Sequence, residues 1–157
     1  MPEATVQTSS VTDDLLLASR ALLGIVARSL TEALEHVTLP QFRVLVLLAE
    51  IGPTRVGELA DRIRVHPSTF SRTTDRLVRG GWVHRLDNPE NRREVHLELS
   101  AAGAALVADV TERRRTELEI VLDRLPATDQ QKIAVAMARF AQAAGEPTPP
   151  VLLGIGL

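Results

Sequence analysis

Residues 54–100 read TRVGELADRIRVHPSTFSRTTDRLVRGGWVHRLDNPENRREVHLELS. Val56, Leu59, Ala60 and Ile63 recur at helical spacing, so a short helix with these residues inward is expected, with Thr54 as its cap. A four-residue link follows, Arg64-Val65-His66-Pro67. Pro67 fits the first position of a second helix, where a missing N–H costs nothing. That helix should run to Val78 or Arg79 and stop at Gly80-Gly81. The apolar period then changes from helical to two. Trp82–Leu86 and Glu94–Leu99 read as antiparallel strands, and Asp87–Arg93 has the composition of a turn. Two short helices with a tight link, then a hairpin with a charged tip, form a winged helix-turn-helix.

Outward from this stretch the pattern is helical on both sides. Asp13 to about His36 carries Leu15, Leu16, Leu22, Leu23, Ile25, Val26 and Leu30, with Asp13 or Thr12 as a cap. Leu39–Glu50 carries Phe42, Leu45, Val46 and Ala49, with Pro40 in its first turn. On the far side Ser100 can cap a helix from Ala101 to about Leu125, which Pro126 breaks. Thr128-Asp129-Gln130-Gln131 has the form of a capping box for a last helix to about Ala144. The expected fold is therefore mainly α with a small antiparallel β-hairpin. Its parts are a lead-in (1–12), a dimerisation helix (13–38), a winged helix-turn-helix lobe (39–100), C-terminal dimerisation helices (101–145) and a tail (146–157). The two ends of the chain hold more apolar surface than one protomer of this size readily buries, which points to a homodimer.

The chain has 157 residues, 45% apolar, with no Cys. Absence of Cys excludes disulfides, thiol redox switching and thiolate metal sites. No apolar run reaches the roughly 18 residues of a membrane span, and residues 1–14 lack the features of a secretory signal, so a cytoplasmic place is expected. The net charge of −2 conceals an asymmetry. Residues 62–93 hold eight Arg against three acids, between two acidic flanks. Such a basic middle suggests a surface for an anionic partner.

The second helix of the pair supplies what double-stranded DNA recognition needs. Ser68, Thr69 and Ser71 are short polar groups for base edges; Arg72 and Arg76 add cations for bases or phosphate. Phe70, Thr74 and Leu77 should face the core. An amphipathic surface helix would look similar in isolation; the adjoining wing favours DNA. Arg92 and Arg93 at the hairpin tip suit a narrow minor groove. Arg64 and Arg85 are candidate backbone contacts, and His66 a cap or phosphate contact. Asp75 is placed for local pairing with Arg72, Arg76 or Arg79. His36, His66, His84 and His96 have poor spacing for a metal, so none is expected, nor any cofactor. His84 and His96 are candidate cross-strand neighbours. No G-x-S-x-G, P-loop or G-x-G-x-x-G occurs, which argues against an enzyme.

Val56-Gly57-Glu58-Leu59-Ala60, Pro67-Ser68-Thr69-Phe70-Ser71-Arg72, Asp75 to Val83, Asp87 to Arg93 and Leu99-Ser100-Ala101-Ala102-Gly103 together resemble the MarR (multiple antibiotic resistance regulator) family. The motifs cover residues 55–103, and the helix layout extends the likeness to roughly 13–144. One departure stands in the wing, where Asn91 replaces the Asp that usually braces the second Arg; an Asn accepts a hydrogen bond but brings no charge. The resemblance implies that Arg93 is the inserting residue. It also implies a repressor whose DNA affinity falls when a small aromatic or anionic effector binds between the dimer helices and the DNA-binding lobe. The expected wall is Leu16, Arg20, Leu23, His36, Phe42 and Arg43 with residues of the recognition helix. Ordinary packing of the first two helices is the plainer account of those residues. A dimeric interaction protein that kept the fold and lost specific DNA binding is the alternative function.

Overall fold

The computed structural model describes residues 10–87 and 94–146. Six helices and three short strands follow the order α1 (Val11–Leu30), α2 (Leu39–Ile51), β1 (Thr54–Arg55), α3 (Val56–Ile63), α4 (Pro67–Arg79), β2 (Val83–Asp87), β3 (Val95–Leu99), α5 (Ala101–Leu122) and α6 (Ala127–Ala143).

α1 starts two residues before the expected Asp13. Ser10 is the cap, its hydroxyl accepting from the Asp13 N–H at 3.1 Å while the Asp13 carboxylate accepts from the Ser10 N–H. Asp13 thus serves as the reciprocal partner in the box rather than as the cap. The helix ends at Leu30, earlier than expected, and a short 3-10 turn at Ala33–Glu35 leads to α2. Thr54 is not a helix cap. It pairs with Leu97 as part of a third strand, β1, giving a sheet of order β1-β3-β2. Two residues are too few for an alternating pattern to show in sequence. The β2–β3 register sets His84 opposite Glu98 and Leu86 opposite His96, so the two histidines are not direct cross-strand partners.

α6 begins under Pro126, with Thr128 already inside the helix and no side-chain cap. Gln130 Nε2 turns instead to the end of α5 and donates to the carbonyls of Leu122 and Leu125, both at 3.0 Å. Those carbonyls have no helical N–H to meet, so the amide satisfies them.

One core runs through the middle of the chain. It joins Leu30, Ala33 and Val37 to Phe42, Leu45 and Leu48 of α2, Leu59 of α3, Phe70 and Leu77 of α4, Val83 and Leu97 of the sheet, and Val107 and Val110 of α5. Burial of apolar area on this scale is the main stabilising force. α6 contributes no buried residue. Leu15, Leu16, Leu22 and Leu23 of α1, Val121 of α5 and Ile133, Val135, Met137 and Phe140 of α6 remain exposed in the single chain. α1 lies along α5, where Arg28 meets Glu117 at 2.7 Å, Arg113 meets Glu32, and Arg114 donates to Ser29 Oγ. The basic run 113–115 is therefore largely engaged within the fold; Arg115 pairs with Glu112.

Candidate functional site

α4 is set by its two ends and by its buried stripe. Pro67 stands at its start, and His66 is the cap, its Nδ1 accepting from the Ser68 N–H and lying 2.9 Å from Ser68 Oγ. This is the capping role expected of His66. Phe70, Thr74 and Leu77 are buried, as their spacing predicts. Thr74 Oγ1 donates to the Ser71 carbonyl at 2.8 Å, which satisfies its buried hydroxyl. The C-terminal turn relies on Gly81, whose φ of 74° is a conformation that favours glycine.

With that stripe inward, Ser68, Thr69, Ser71, Arg72 and Arg76 all lie on the outer side of α4, away from the core. Among the described residues neither Arg72 nor Arg76 takes part in an ion pair. Their charge is therefore uncommitted. Asp75, expected to pair along its own helix, reaches across to Arg85 of β2 instead. Arg85 is thus tied to the helix, and the pair fixes the wing strand to α4. Its helical neighbour Arg79 donates through Nε to the Asp75 carbonyl. Arg64 occupies the turn between α3 and α4 at φ 58°, ψ 44°, exposed and without an ion-pair partner among the described residues. A non-glycine residue in this left-handed region costs about 1–2 kcal/mol; here the tight inter-helical turn requires it. Arg92, Arg93 and Asn91 lie outside the described residues.

Beside α4, a groove of about 790 Å³ opens between α3 and the base of the wing. Arg55 of β1 meets Glu94 at 2.8 Å on its rim. Nothing in the residue pattern announces this pair, because the strand that carries Arg55 is not legible in sequence.

Of the six residues expected to wall an effector site, the structure brings two together. Phe42 and Arg43 line an apolar cavity of about 470 Å³ between α1, α2 and the α3–α4 link, with Val26, Leu30, Val46 and Val65. Leu16, Arg20 and Leu23 lie on the exposed face of α1, away from it. The reason is helical phase: Val26 and Leu30 face α2, and Leu23 falls on the opposite side of α1. His36 packs instead near the wing root, its ring centroid 6.0 Å from that of Trp82. Arg114, Glu50 and Glu146 also border the cavity and fall outside the expected wall; Arg114 and Glu146 come from distant parts of the chain. Burial, and then the nearby Glu146 charge, raise the Glu50 carboxyl above its ordinary value. Among the described residues no three His, Asp or Glu side chains gather as a metal site.

Comparison with known proteins places this arrangement. The profile described as "MarR family" matches residues 37–95. The HTH-type transcriptional repressor MdtR of Bacillus subtilis (strain 168) is 30% identical over 133 residues, covering 83% of this chain and 86% of MdtR. The crystal structure of RV1404 from Mycobacterium tuberculosis superposes with a TM-score of 0.79 at 39% identity, over 88% of this chain and 94% of that one. A structure of NadR in complex with 4-hydroxyphenylacetate superposes with a TM-score of 0.61 at 26% identity, over 90% and 98% of the two chains.

Proposed function

The chain belongs to the MarR family, and from that premise we propose that it is a cytoplasmic transcriptional repressor that reads a pseudo-palindromic operator as a homodimer. The observation that carries this reading is the outer side of α4, where three short hydroxyl side chains lie beside two arginines that no carboxylate engages. Such a helix, delivered by a buried stripe on its other side, suits the major groove. Ser68, Thr69 and Ser71 read base edges, Arg72 and Arg76 read bases or hold phosphate, and Arg64 and His66 contact the backbone. Arg92 and Arg93 enter the minor groove. Arg85 is a positioning residue first, because Asp75 already holds it.

The exposed leucines of α1 and the apolar side chains of α6 form the dimer surface. A two-fold pair then sets two α4 helices about 34 Å apart, one turn of DNA. The cavity at Phe42 and Arg43 takes the effector, and NadR, crystallised with an aromatic acid, supports a ligand of that class. No helix among the described residues is long and apolar enough to cross a membrane.

The test is binding of pure protein to labelled DNA from its own promoter region, titrated against salt beside a scrambled duplex. Preference for the promoter is expected, with Arg72→Ala costing about 1–3 kcal/mol if it meets a base. If Arg76 neutralises one phosphate, Arg76→Ala lowers the salt slope by about 0.9. Equal, weak binding to both duplexes would favour the dimeric interaction protein over the repressor.

A further inference from the structure

The apolar cavity and a neighbouring cleft of about 500 Å³ share a wall made by Arg43, Leu47, Ile63 and Glu146. On one side of that wall the surface is apolar, with Leu30, Phe42 and Val46. On the other it is polar, with Arg62, Arg64 and Asp61. A ligand spanning both must carry an apolar body and a charged head.

The sign of the head follows from the partners. Arg62 is held by Glu58 at 3.0 Å, one turn away on α3. Arg64 has no ion-pair partner among the described residues. Arg43 faces Glu146 at 3.8 Å, with both side chains more than half exposed. An exposed pair at that separation is weak. Two guanidiniums are thus open to an anion. Glu50, whose charge would repel it, borders the cavity but not the cleft.

Glu146 already supplies an anion there. It follows the last turn of α6, its N–H donating to the Ala141 carbonyl at 3.1 Å. Its carboxylate lies close enough to Glu50 for the two charges to oppose each other. Glu146 is therefore attracted weakly from one side and repelled from the other.

We propose that the site takes an amphipathic anion, an apolar body with a carboxylate or sulfonate head, and that the head displaces Glu146 from Arg43 and engages Arg64. This rests on the effector reading of the cavity and adds to it the head-group subsite and the side chain that yields. Exchange of one anion for another at Arg43 changes little in charge pairing. The driving force is burial of the apolar body. Displacement of Glu146 frees the end of α6 from α2, which links occupancy to the dimer helices.

Two fluorescent probes test this on the full chain: 8-anilinonaphthalene-1-sulfonate, and N-phenyl-1-naphthylamine, which has a similar body without the charge. Val46→Trp, which fills the cavity, should weaken both. Glu146→Gln should tighten the sulfonate probe about three-fold and leave the neutral one unchanged. Arg43→Gln, and Arg64→Asn, which tolerates the left-handed turn, should each weaken the sulfonate probe alone, by several-fold. If Val46→Trp weakens both probes but Glu146→Gln leaves the ratio of their affinities unchanged, the cavity stands and the displacement is overturned. If neither probe responds to Val46→Trp, no ligand enters the cavity, and the effector reading fails with the inference.

Discussion

Gly103→Ala is a change of one methyl group in the first turn of α5, and it should destabilise the protein. A Cβ built at Gly103 would lie 2.3 Å from the Trp82 carbonyl oxygen and 2.8 Å from Leu99 Cδ1. The leucine can rotate, but the carbonyl belongs to backbone that is fixed twice over. It accepts from the Ser100 N–H at 3.1 Å, and the neighbouring Gly81 carbonyl accepts from Ser100 Oγ at 2.7 Å. Relief requires α5 to move away from the wing root. Overpacking of this kind costs about 1–3 kcal/mol, and loosening the two Ser100 hydrogen bonds adds about 1 kcal/mol each at most. Against this stands the helix preference of Ala over Gly, about 1 kcal/mol. The net expectation is a destabilisation of about 2 kcal/mol. At roughly 2–4 °C per kcal/mol for a chain of this size, Tm should fall by about 4–8 °C. The assay is thermal and urea unfolding at one fixed protein concentration, since a dimer's stability depends on it. Gly57→Ala is the internal control. It is the same change near the start of α3, where a Cβ would meet nothing within 4 Å, and it should stabilise by about 0.5 kcal/mol. A Gly103→Ala protein as stable as the parent would refute the close approach of α5 to the wing.

Glu50→Gln should be more stable than the parent near neutral pH. The Glu50 carboxyl is raised in the folded state by burial and then by Glu146, so its contribution is present below the ordinary carboxylate value and is lost as pH rises through the raised one. The advantage of the Gln variant should therefore vanish in acid, as read by urea midpoints across pH. Phe140→Asp, at an α6 position 55% exposed in the single chain, should convert dimer to monomer in sedimentation analysis; an unchanged dimer would place the interface elsewhere. Asp75→Ala unties Arg85; duplex binding should gain about 0.9 in salt slope and lose preference for the promoter. An unaltered slope would show that Asp75 does not govern Arg85.

Most of the winged lobe is legible in the sequence because its signals are local. Pro67 and Gly81 mark the two ends of α4, the spacing of Phe70, Thr74 and Leu77 gives its inner stripe, and the alternation from Glu94 to Leu99 gives β3. The errors fall where a partner distant in sequence decides. β1 exists only because Thr54 and Arg55 find Leu97 and His96. Asp75 prefers Arg85, ten residues on, to the arginines one turn away, because the sheet brings β2 alongside α4. The cavity wall is only partly legible for the same reason. Phe42 and Arg43 follow from the period of α2, but Arg114 and Glu146 reach the cavity from α5 and from beyond α6, and no local pattern encodes that. Ser10 hides as a cap because Asp13, three residues later, has the same chemistry and serves as its reciprocal partner.

These contacts also say which part of the molecule can respond to a ligand. The wing enters α5 through Ser100 and Gly103 with no slack, Asp75 and Arg85 bind α4 to the wing, and Arg28, Ser29 and Glu32 clasp α1 to α5. α1 to α5 therefore form one packed body. α6 has no buried residue, and its polar ties to that body among the described residues are Gln130 on the α5 carbonyls at one end and Arg43–Glu146 just past the other. A ligand that acts near Arg43 shifts populations at this weak attachment, not by bending α4. Since α6 carries part of the apolar dimer surface, its displacement should change the spacing of the two protomers' α4 helices. Spin labels at Ser71 on both protomers should report a changed distance on ligand binding. A pair at Ser71 and Thr111 within one protomer should not. A change in the second distance as large as in the first would mean that the lobe itself deforms, and the packed body inferred from these contacts would be wrong.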